Sequence, residues 1–491
     1  MGELSRAPLQ FAASEDKSSS ELAGAVPTVI NAVMDQAGVA RRRPGIKAWA
    51  PFPAASASGS PVIGMCPFGQ QLVYVTEDRK LHAVSSVGGV TELSSTDVLT
   101  TLDGGKRPVM VAGRRMLVVA GGGAVQKWTG TGLSARLQND PPNADFICAI
   151  AQRLLLSSPG GSGDMAWSGP LEDYEDWDFA TTGHAGYTQA SAKPDPIKAM
   201  LDNTNEVFCF GSETTQVMAP SAMTIDETDP NNVSWFAPNR TINVGTVAPY
   251  SVVPYDDMFM MLDRLRRVIM TDARSYKDVS KPMATILRAM ASIEDCWAFR
   301  MKFGRFDAVV FVFPTDGYGL FYDAALGNWG EWRAWDGGYV PIQITSTYNW
   351  SEQGVYLVGL SDGSIAQLDE NTNTDMGDPI KVRLVSGFTN NGTMAKKDCR
   401  SLTLMFKRTW EALPAPAGGS LSASGHVRVW NRDDLGTWQH VADIELSSDP
   451  SPFEILRSLG VYRSRQWAVE YDGADEIQLV GAEEEFEALG A

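Results

Sequence analysis

Pairs of short apolar segments, joined by turns of Gly, Asp or Ser, recur seven times along the chain. The first pair is QLVYV and KLHAV, and the last is VYLVGL and SIAQL. The pairs begin 37 to 53 residues apart, at Gln71, Met116, Arg153, Glu206, Met258, Ala308 and Val355. Segments that are apolar along most of their length are typical of strands buried on both faces. Propeller blades recur every ~40 to 50 residues, so the spacing predicts an all-β protein with a β-propeller of six or seven blades.

Changes in the pattern of apolar and polar residues divide the chain into three parts. Residues 1–45 are predicted to form an N-terminal arm, in which LAGAVPTVINAVMDQAG suggests one short helix before the basic RRRPG turn. Residues 46–375 are assigned to the propeller, with a helical insert, SKPMATILRAMAS, for which Ser280 is the predicted N-cap. Residues 376–491 have longer alternating strands, such as HVRVWNR and RQWAVEYD, and predict a C-terminal β-sandwich-like domain.

The charge balance narrows the classes of partner. The 491 residues carry 41 Lys and Arg against 59 Asp and Glu, a net charge of −18. Such an excess argues against a sequence-independent grip on nucleic acid, which needs cations to displace counterions from phosphate. No apolar run of ~20 residues is present to span a membrane, and the N-terminus lacks a signal-peptide pattern. We therefore expect synthesis in a cytoplasm and no contact with a membrane.

Motifs for catalysis or metal binding are weak. The segment 359–363, GLSDG, matches the G-x-S-x-G nucleophile motif, but that motif needs a strand leading into a helix, whereas here Ser361 is predicted at a hairpin tip. The four histidines, His82, His184, His426 and His440, lack metal-site spacing. The acidic runs 226–232 and 369–375 lack the Gly and terminal Glu of a calcium loop. The sequence therefore predicts no catalytic, metal-binding or cofactor-binding residue and no cofactor.

The cysteines likewise do not indicate a catalytic or metal-binding site. The five cysteines, Cys66, Cys148, Cys209, Cys296 and Cys399, are scattered and odd in number, and three lie in or beside apolar runs. They are predicted to be buried thiols rather than a disulfide framework.

Two clusters of acidic and aromatic residues leave alternatives open. The acids Glu172, Asp173, Glu175, Asp176 and Asp178 provide either a glycosidase-type carboxylate pair or a solvated rim above Trp167, Trp177 and Phe179, and the rim is the favoured interpretation. Trp329, Trp332 and Trp335 either bind a sugar or, as favoured, wedge between blades. The C-terminal acids Glu483, Glu484, Glu485 and Glu487 are predicted to form a solvated face.

Several segments, taken in order, support a family assignment. They are RRRPGIKAW, DMAWSGPLEDYEDWDFA, PDPIKAM leading to EVFCFGSETTQVM, the Gly245 region with KPMATILRAM, AVVFVFPTDGYGLFYDAALGNWGEW and YRSRQWAVEYDG. Their succession resembles the tail-nozzle proteins of short-tailed phages (podoviruses), also called packaged-DNA stabilisation proteins. The resemblance extends over most of the chain.

The resemblance implies a structural protein of the virion tail without enzymatic activity. It implies a homohexameric ring below the portal and its adaptor ring, with tail needle or fibre proteins attached and with double-stranded DNA passing through the lumen unbound. The ring would retain packaged DNA and form its ejection channel. In such a ring, Glu172, Asp173, Glu175, Asp176 and Asp178 are candidate lumen acids that repel the duplex, and the C-terminal acids are further candidates. Arg41, Arg42 and Arg43 are candidate contacts to the adaptor.

Two other classes of function compete with this assignment. A propeller polysaccharide hydrolase or lyase requires two carboxyl groups within ~5 to 10 Å of each other in a shared cleft. A carbohydrate-binding propeller requires exposed tryptophan platforms repeated between blades. Only residues 329–335 have the necessary density of tryptophan, and that cluster is not repeated.

Overall fold

The structure of the protein is a computed structural model. It describes residues 4–9, 11, 13–14, 28–34, 39–53, 59–94, 106–157, 164–169, 174–178, 185–190, 195–203, 206–220, 236–304, 306–388, 390–408, 426–434, 436–445, 453–473 and 477–489. These residues form strands almost throughout, with one short α-helix among them.

The strands that precede the first blade come from the predicted arm. They are β1 (Leu4–Pro8), β2 (Ala13–Ser14), β3 (Thr28–Ile30), β4 (Ala32–Met34), β5 (Ala40–Arg42) and β6 (Gly45–Ala48). The arm segment that suggested a helix therefore contains two strands in its described part, β3 and β4, and the helix prediction is wrong there. Asn31 separates the two strands in a left-handed conformation, with φ of 59°, which asparagine tolerates better than most residues.

Each predicted hairpin provides the second and third strands of a four-stranded antiparallel unit. The first three units are β7 (Val62–Phe68), β8 (Gln71–Thr76), β9 (Leu81–Ser85) and β10 (Val90–Glu92); β11 (Val109–Ala112), β12 (Leu117–Ala120), β13 (Gln126–Trp128) and β14 (Ala135–Arg136); and β15 (Ile147–Ile150), β16 (Arg153–Ser157), β17 (Asp164–Trp167) and β18 (Gly186–Gln189). The next two are β19 (Ala199–Asn203), β20 (Glu206–Phe210), β21 (Thr215–Pro220) and β22 (Phe236–Ile242); and β23 (Val253–Tyr255), β24 (Met258–Leu262), β25 (Val268–Thr271) and β26 (Tyr276–Asp278).

The last two units belong to larger sheets. One contains β27 (Trp297–Phe303), β28 (Phe306–Phe313), β29 (Tyr318–Asp323) and β30 (Asn328–Trp332), and is followed by the small pair β31 (Ala334–Trp335) and β32 (Tyr339–Val340). The other contains β33 (Ile344–Trp350), β34 (Val355–Leu360) and β35 (Ile365–Asp369), with β36 (Thr374–Asp375) and β37 (Asp378–Pro379) at its margin. Its fourth strand is the N-terminal β6, which pairs with β35. A strand from the start of the chain thus completes the last blade.

The apolar cores show that these units form a closed ring. Separate clusters of buried residues join blades 1 and 2, blades 2 and 3, blades 3 to 5, blades 5 and 6, blades 6 and 7, and blades 7 and 1. The predicted β-propeller of six or seven blades is confirmed, and the strand pairing gives seven. The hairpins are apolar on both sides because each blade packs against two neighbours.

The helical insert lies between the fifth and sixth blades. It consists of a 3₁₀ turn, Lys281–Met283, and helix α1 (Ala284–Ala289); other 3₁₀ turns are Pro249–Ser251 and Ser351–Gln353. Ser280 was predicted as the side-chain N-cap, and this is wrong, since its hydroxyl does not bond to the helix. The Ser280 hydroxyl instead accepts a hydrogen bond from the Val268 N–H (3.0 Å) and donates one to Asp278 (2.8 Å).

The C-terminal strands form a sandwich with the N-terminal ones. They are β38 (Val382–Val385), β39 (Lys397–Arg408), β40 (His426–Asp433), β41 (Gln439–Glu445), β42 (Phe453–Arg457), β43 (Val461–Tyr462), β44 (Arg465–Tyr471) and β45 (Ile477–Ala488). One sheet runs β4-β5-β45-β39-β42, and the other contains β3, β38, β44, β40 and β41. Residues of both sheets, including Leu402, Val429, Trp467 and Leu479, share one buried core. The predicted C-terminal sandwich is confirmed, with arm strands as part of it.

Candidate functional site

The sandwich is joined to the propeller by a continuous sheet. Strand β3 pairs with β38 of the sandwich on one side and, in parallel, with β30 of the sixth blade on the other. The ten-stranded sheet therefore extends from the propeller into the sandwich. The arm residues at this junction fix how the two parts are held together.

Arg43 forms several bonds at the junction. Its guanidinium donates to both carboxylate oxygens of Asp375, at 3.0 Å and 2.5 Å, and lies 4.5 Å from the centre of the Trp332 ring. Its Nε donates to the side-chain oxygen of Asn31 at 3.0 Å. Arg43 is buried, so these bonds are shielded from water and are stronger than surface ion pairs.

Asn31 connects three segments that are far apart in the sequence. Its N–H donates to the Glu331 carbonyl (2.8 Å), its amide donates to the Lys381 carbonyl (2.9 Å), and its side-chain oxygen also accepts from the Arg333 N–H (2.9 Å). The roles of Asn31 and Asp375 were not predicted from the sequence. The sequence signal for Asn31 was its position between two apolar triplets. Asparagine tolerates the left-handed conformation that separates two such short strands.

Arg42 also binds within the chain. It is buried, its guanidinium donates to the carbonyls of Asn373 (3.2 Å) and Gly473 (2.6 Å), and it lies 5.0 Å from the Tyr471 ring centre. Arg42 and Arg43 therefore connect the arm to the propeller and the sandwich. Arg41 is half-buried and is the member of the triplet with a partly exposed side chain. Contact of the triplet with an adaptor stays a prediction.

The acidic segment between β17 and β18 of the third blade is partly bound to the second blade. Glu175 forms an ion pair with Lys127 and accepts from the Gln138 N–H at 3.2 Å. Asp176 accepts from the Asp178 N–H at 3.3 Å. Glu172 and Asp173, like Phe179, lie outside the described residues. Orientation of these acids towards a lumen stays a prediction.

The tryptophans of both clusters are mostly core residues. Trp167 and Trp177 are buried, and Trp177 donates from its indole to the Tyr174 carbonyl at 2.8 Å. Trp329 and Trp332 are also buried, in the two cores on either side of the sixth blade. The half-buried Trp335 stacks with Lys381, whose ammonium lies 3.9 Å from the ring centre. These described rings do not form the repeated exposed platforms that a lectin needs.

The C-terminal acids fit the predicted solvated face only in part. They lie on β45, an interior strand of its sheet, where Glu483 and Glu485 pair with Arg6 and Glu487 pairs with Arg400. Glu484 points the other way and is completely buried, so the prediction is wrong for this residue. Side chains alternate between the two faces of a strand, which turns every second residue of the acidic run into the core.

Polar groups inside the sandwich surround Glu484. One of its oxygens lies 4.0 Å from Arg465, and Asn391 donates to the other at 3.5 Å. Arg465 also forms a two-pronged pair with Asp433, at 2.5 Å and 2.7 Å. Burial and the nearby Glu484 carboxylate raise the pKa of the Cys399 thiol. The cluster is a buried charge network between the two sheets.

The described residues of the nucleophile motif and of the acidic run 369–375 do not form a catalytic or metal-binding arrangement. Ser361 lies in the turn between β34 and β35, where its hydroxyl donates to Gln343 at 2.6 Å, as the hairpin-tip prediction required. In the run 369–375, Asp369 bonds with Lys47 and Asp375 with Arg43; the run 226–232 lies outside the described residues. No group of three metal-ligating side chains is found in the described part of the chain.

The cysteines are buried, as predicted. Burial raises the pKa of Cys66 and of Cys209 to about 12, so neither thiol is ionised near neutral pH. In the described residues, no helix is both long enough and apolar enough to cross a membrane.

The described residues form a β-propeller with a fused sandwich, and the candidate motifs among them contact other parts of the same fold. A family model described as "Bacteriophage P22 Gp10, beta-propeller" matches residues 22–305, more than half of the chain. The chain therefore belongs to this family of phage tail stabilisation proteins, and the resemblance predicted from the sequence is confirmed. Membership indicates a component of the virion.

Two solved structures show a distant likeness to the chain. The chain is similar to the Pan2 WD40 domain of Neurospora crassa, with 10% identity, a TM-score of 0.40, and coverage of 70% of this chain and 99% of that one. For BamB of Moraxella catarrhalis the identity is 11%, the TM-score 0.37, and the coverage 76% and 98%. TM-scores this low carry no argument about function. No curated protein matches the chain.

Proposed function

We propose that this protein forms the tail nozzle of a short-tailed phage, a homohexameric ring below the portal and adaptor that retains packaged DNA and forms its ejection channel. The observation that carries the proposal is the membership in the phage stabilisation family. The protein acts as a rigid wall and has no catalytic step. Needle or fibre proteins attach to the ring, and the ring is located in the virion tail after synthesis in the host cytoplasm.

The architecture supports a rigid role. Seven blades are joined by shared cores, and the last blade is closed by a strand from the start of the chain. The buried Arg43–Asp375 pair and the ten-stranded sheet fix the sandwich to the propeller. A protein that must withstand the pressure of packaged DNA benefits from such closure, because no blade can separate without exposing core surface.

The net charge of −18 supports the passage of DNA without binding. A duplex carries one negative charge per ~1.7 Å of its axis, and carboxylates close to it repel it. Screening at physiological salt restricts this repulsion to about 8 Å, so only lumen residues contribute. Among the candidate lumen acids, Glu175 pairs with Lys127, and Glu172, Asp173 and Asp178 are the set whose charge is removed in the test below.

Assembly is the first test of the proposal. Purified protein is mixed with portal and adaptor rings and analysed by mass photometry and electron microscopy. We expect six copies to join the adaptor end, and we expect particles made without this protein to package DNA and then lose it. Failure to join the portal–adaptor assembly at any salt concentration, or full retention of DNA without the protein, contradicts the proposal.

The lumen charge is tested separately on assembled virions. The variant Glu172→Gln, Asp173→Asn, Asp178→Asn is compared with Asp257→Asn, Glu294→Gln, Glu352→Gln, which removes three exposed acids elsewhere. We expect slower DNA ejection only in the first variant, with a difference that shrinks as salt increases. Equal ejection rates in both variants would exclude these acids from the lumen.

A further inference from the structure

A cavity of about 190 Å³ lies on the axis of the propeller. Its walls come from five blades, at the positions where the innermost strands β11, β15, β19, β23 and β27 begin. Phe146, Met200 and Trp297 give it a largely apolar and aromatic lining, and Arg107 and Tyr250 contribute polar groups. An apolar pocket with few polar groups that converge in it is the usual form of a small-molecule site.

Arg107 is the charged group of this wall. Its guanidinium carbon lies 4.2 Å from the centre of the Trp297 ring, and its Nη2 has a long contact of 3.5 Å to the Ile63 carbonyl. No described carboxylate forms an ion pair with Arg107, and the neighbouring Lys106 is paired with Asp145 at 3.2 Å. Arg107 is half-buried. The guanidinium is thus held against an aromatic ring, and the nearby Glu77 carboxylate acts on it without forming a direct ion pair.

Both polar residues of the wall carry protons that they can donate at neutral pH. Burial lowers the pKa of the Arg107 guanidinium to about 10, which leaves it cationic at neutral pH. Burial raises the pKa of Tyr250 to about 12, so its phenol stays protonated and able to donate a hydrogen bond. Both groups are donors, and a ligand that meets them must supply acceptors.

We propose that the axial cavity binds a small monocarboxylate, whose two oxygens accept from Arg107 and whose apolar body contacts Phe146 and Trp297. A guanidinium binds a carboxylate through two parallel hydrogen bonds. The apolar walls disfavour a multiply charged, strongly hydrated anion such as phosphate. The volume is about six times the ~30 Å³ of a water molecule in the liquid, which suits an acid the size of benzoate.

Benzoate and its neutral isostere benzamide are the probes, with inorganic phosphate as a third ligand. Binding to the full-length protein is measured by ligand-observed NMR and calorimetry. We expect benzoate to bind with a dissociation constant in the millimolar range or below, and benzamide and phosphate to bind at least about tenfold more weakly. Equal binding of benzoate and benzamide, or no binding of benzoate, overturns the proposal.

Three variants locate the site. Arg107→Met removes the charge, and Arg136→Met removes an exposed arginine from the outer strand β14 of the same blade. Ala298→Leu fills the cavity while leaving Arg107 in place. We expect Arg107→Met and Ala298→Leu to weaken benzoate binding at least about tenfold, and Arg136→Met to leave it unchanged. If Arg107→Met does not fold, Ala298→Leu decides, and unchanged binding in Ala298→Leu overturns the proposal.

Discussion

Arg43 and Asp375 form a two-pronged ion pair in which the arginine side chain is 1% exposed and the aspartate side chain 21% exposed. The pair joins the end of the N-terminal arm to the strand that follows the last blade. Because the arginine is also stacked on Trp332, the contact combines the arm, the sixth blade and the seventh. Arg43 lies between β5, a strand of the sandwich, and β6, a strand of the last blade, so the pair is at the junction of the two parts.

Loss of this pair is predicted to destabilise the protein strongly. Arg43→Met removes the guanidinium, takes the two-pronged partner from Asp375 and one of two donors from the Asn31 side-chain oxygen, and is expected to lower the free energy of unfolding by about 3 kcal/mol. Arg43→Lys keeps the positive charge but cannot form the two parallel hydrogen bonds, so it should lower the free energy of unfolding by less. Urea unfolding measures both. A double-mutant cycle with Asp375→Asn then isolates the coupling, and a coupling near zero would show that the pair does not hold the junction.

A glycine in the fourth blade is predicted to be irreplaceable. A Cβ on Gly245 would lie 2.3 Å from the Gly211 carbonyl oxygen and 2.8 Å from the Glu213 nitrogen, both backbone atoms that cannot rotate away. Gly245→Ala should therefore lower the thermal unfolding midpoint by several degrees. The matched control is Gly338→Ala, where a Cβ meets nothing within 4 Å. Similar midpoints for the two variants would contradict the close approach.

The second and third strands of the blades could be predicted because their physical signal is local. Segments such as residues 206–210 and 308–313 are apolar on both faces, and Gly or Asp turns separate them from their partners. The outer strands have no such signal. Strand β26 has two exposed residues among three, so its pairing with β25 is fixed by the backbone rather than by its side chains.

The contacts of the junction and the sandwich could not be predicted because they depend on distant segments. The apolar triplets on either side of Asn31 fit a helix as well as two strands, and their pairing with β38 and β5 decides between them. Glu484 lies in an acidic run, and such a run predicts exposed side chains. Its burial depends on Arg465 and Asn391, which are supplied by other strands and loops of the sandwich.

Asp195 is predicted to make stability fall in acid. Its carboxylate accepts five hydrogen bonds, of 2.7 to 2.9 Å, from the backbone and hydroxyl groups of residues 212–214. Burial opposes ionisation, but these bonds outweigh it and lower the pKa of Asp195. The stabilisation is therefore complete above the unfolded-state pKa of about 3.9 and is lost as the pH falls below it.

The measurement is urea unfolding between pH 6 and pH 3. Asp195→Asn should lower the free energy of unfolding by about 2 kcal/mol at pH 6 and flatten its decline towards pH 3. Asp257→Asn removes an exposed aspartate and should leave both the stability and its pH dependence unchanged. An undiminished acid slope in Asp195→Asn would assign the decline to other carboxylates.

Burial is predicted to decide how much an ion pair contributes to the free energy of unfolding. Arg465 and Arg400 test this, since each contacts a glutamate of strand β45. Arg465 contacts Asp433 and the buried Glu484, and its side chain is 1% exposed; Arg400 pairs with Glu487, and its side chain is 51% exposed. Arg465→Met leaves Asp433 and Glu484 without their shared cation and should lower the free energy of unfolding by about 3 kcal/mol or more. Arg400→Met should change it too little to resolve, because water and salt already screen that pair. Urea unfolding of the two variants in low and high salt compares them directly, and a loss in Arg465→Met that disappears in high salt would show that the Glu484 cluster is open to solvent.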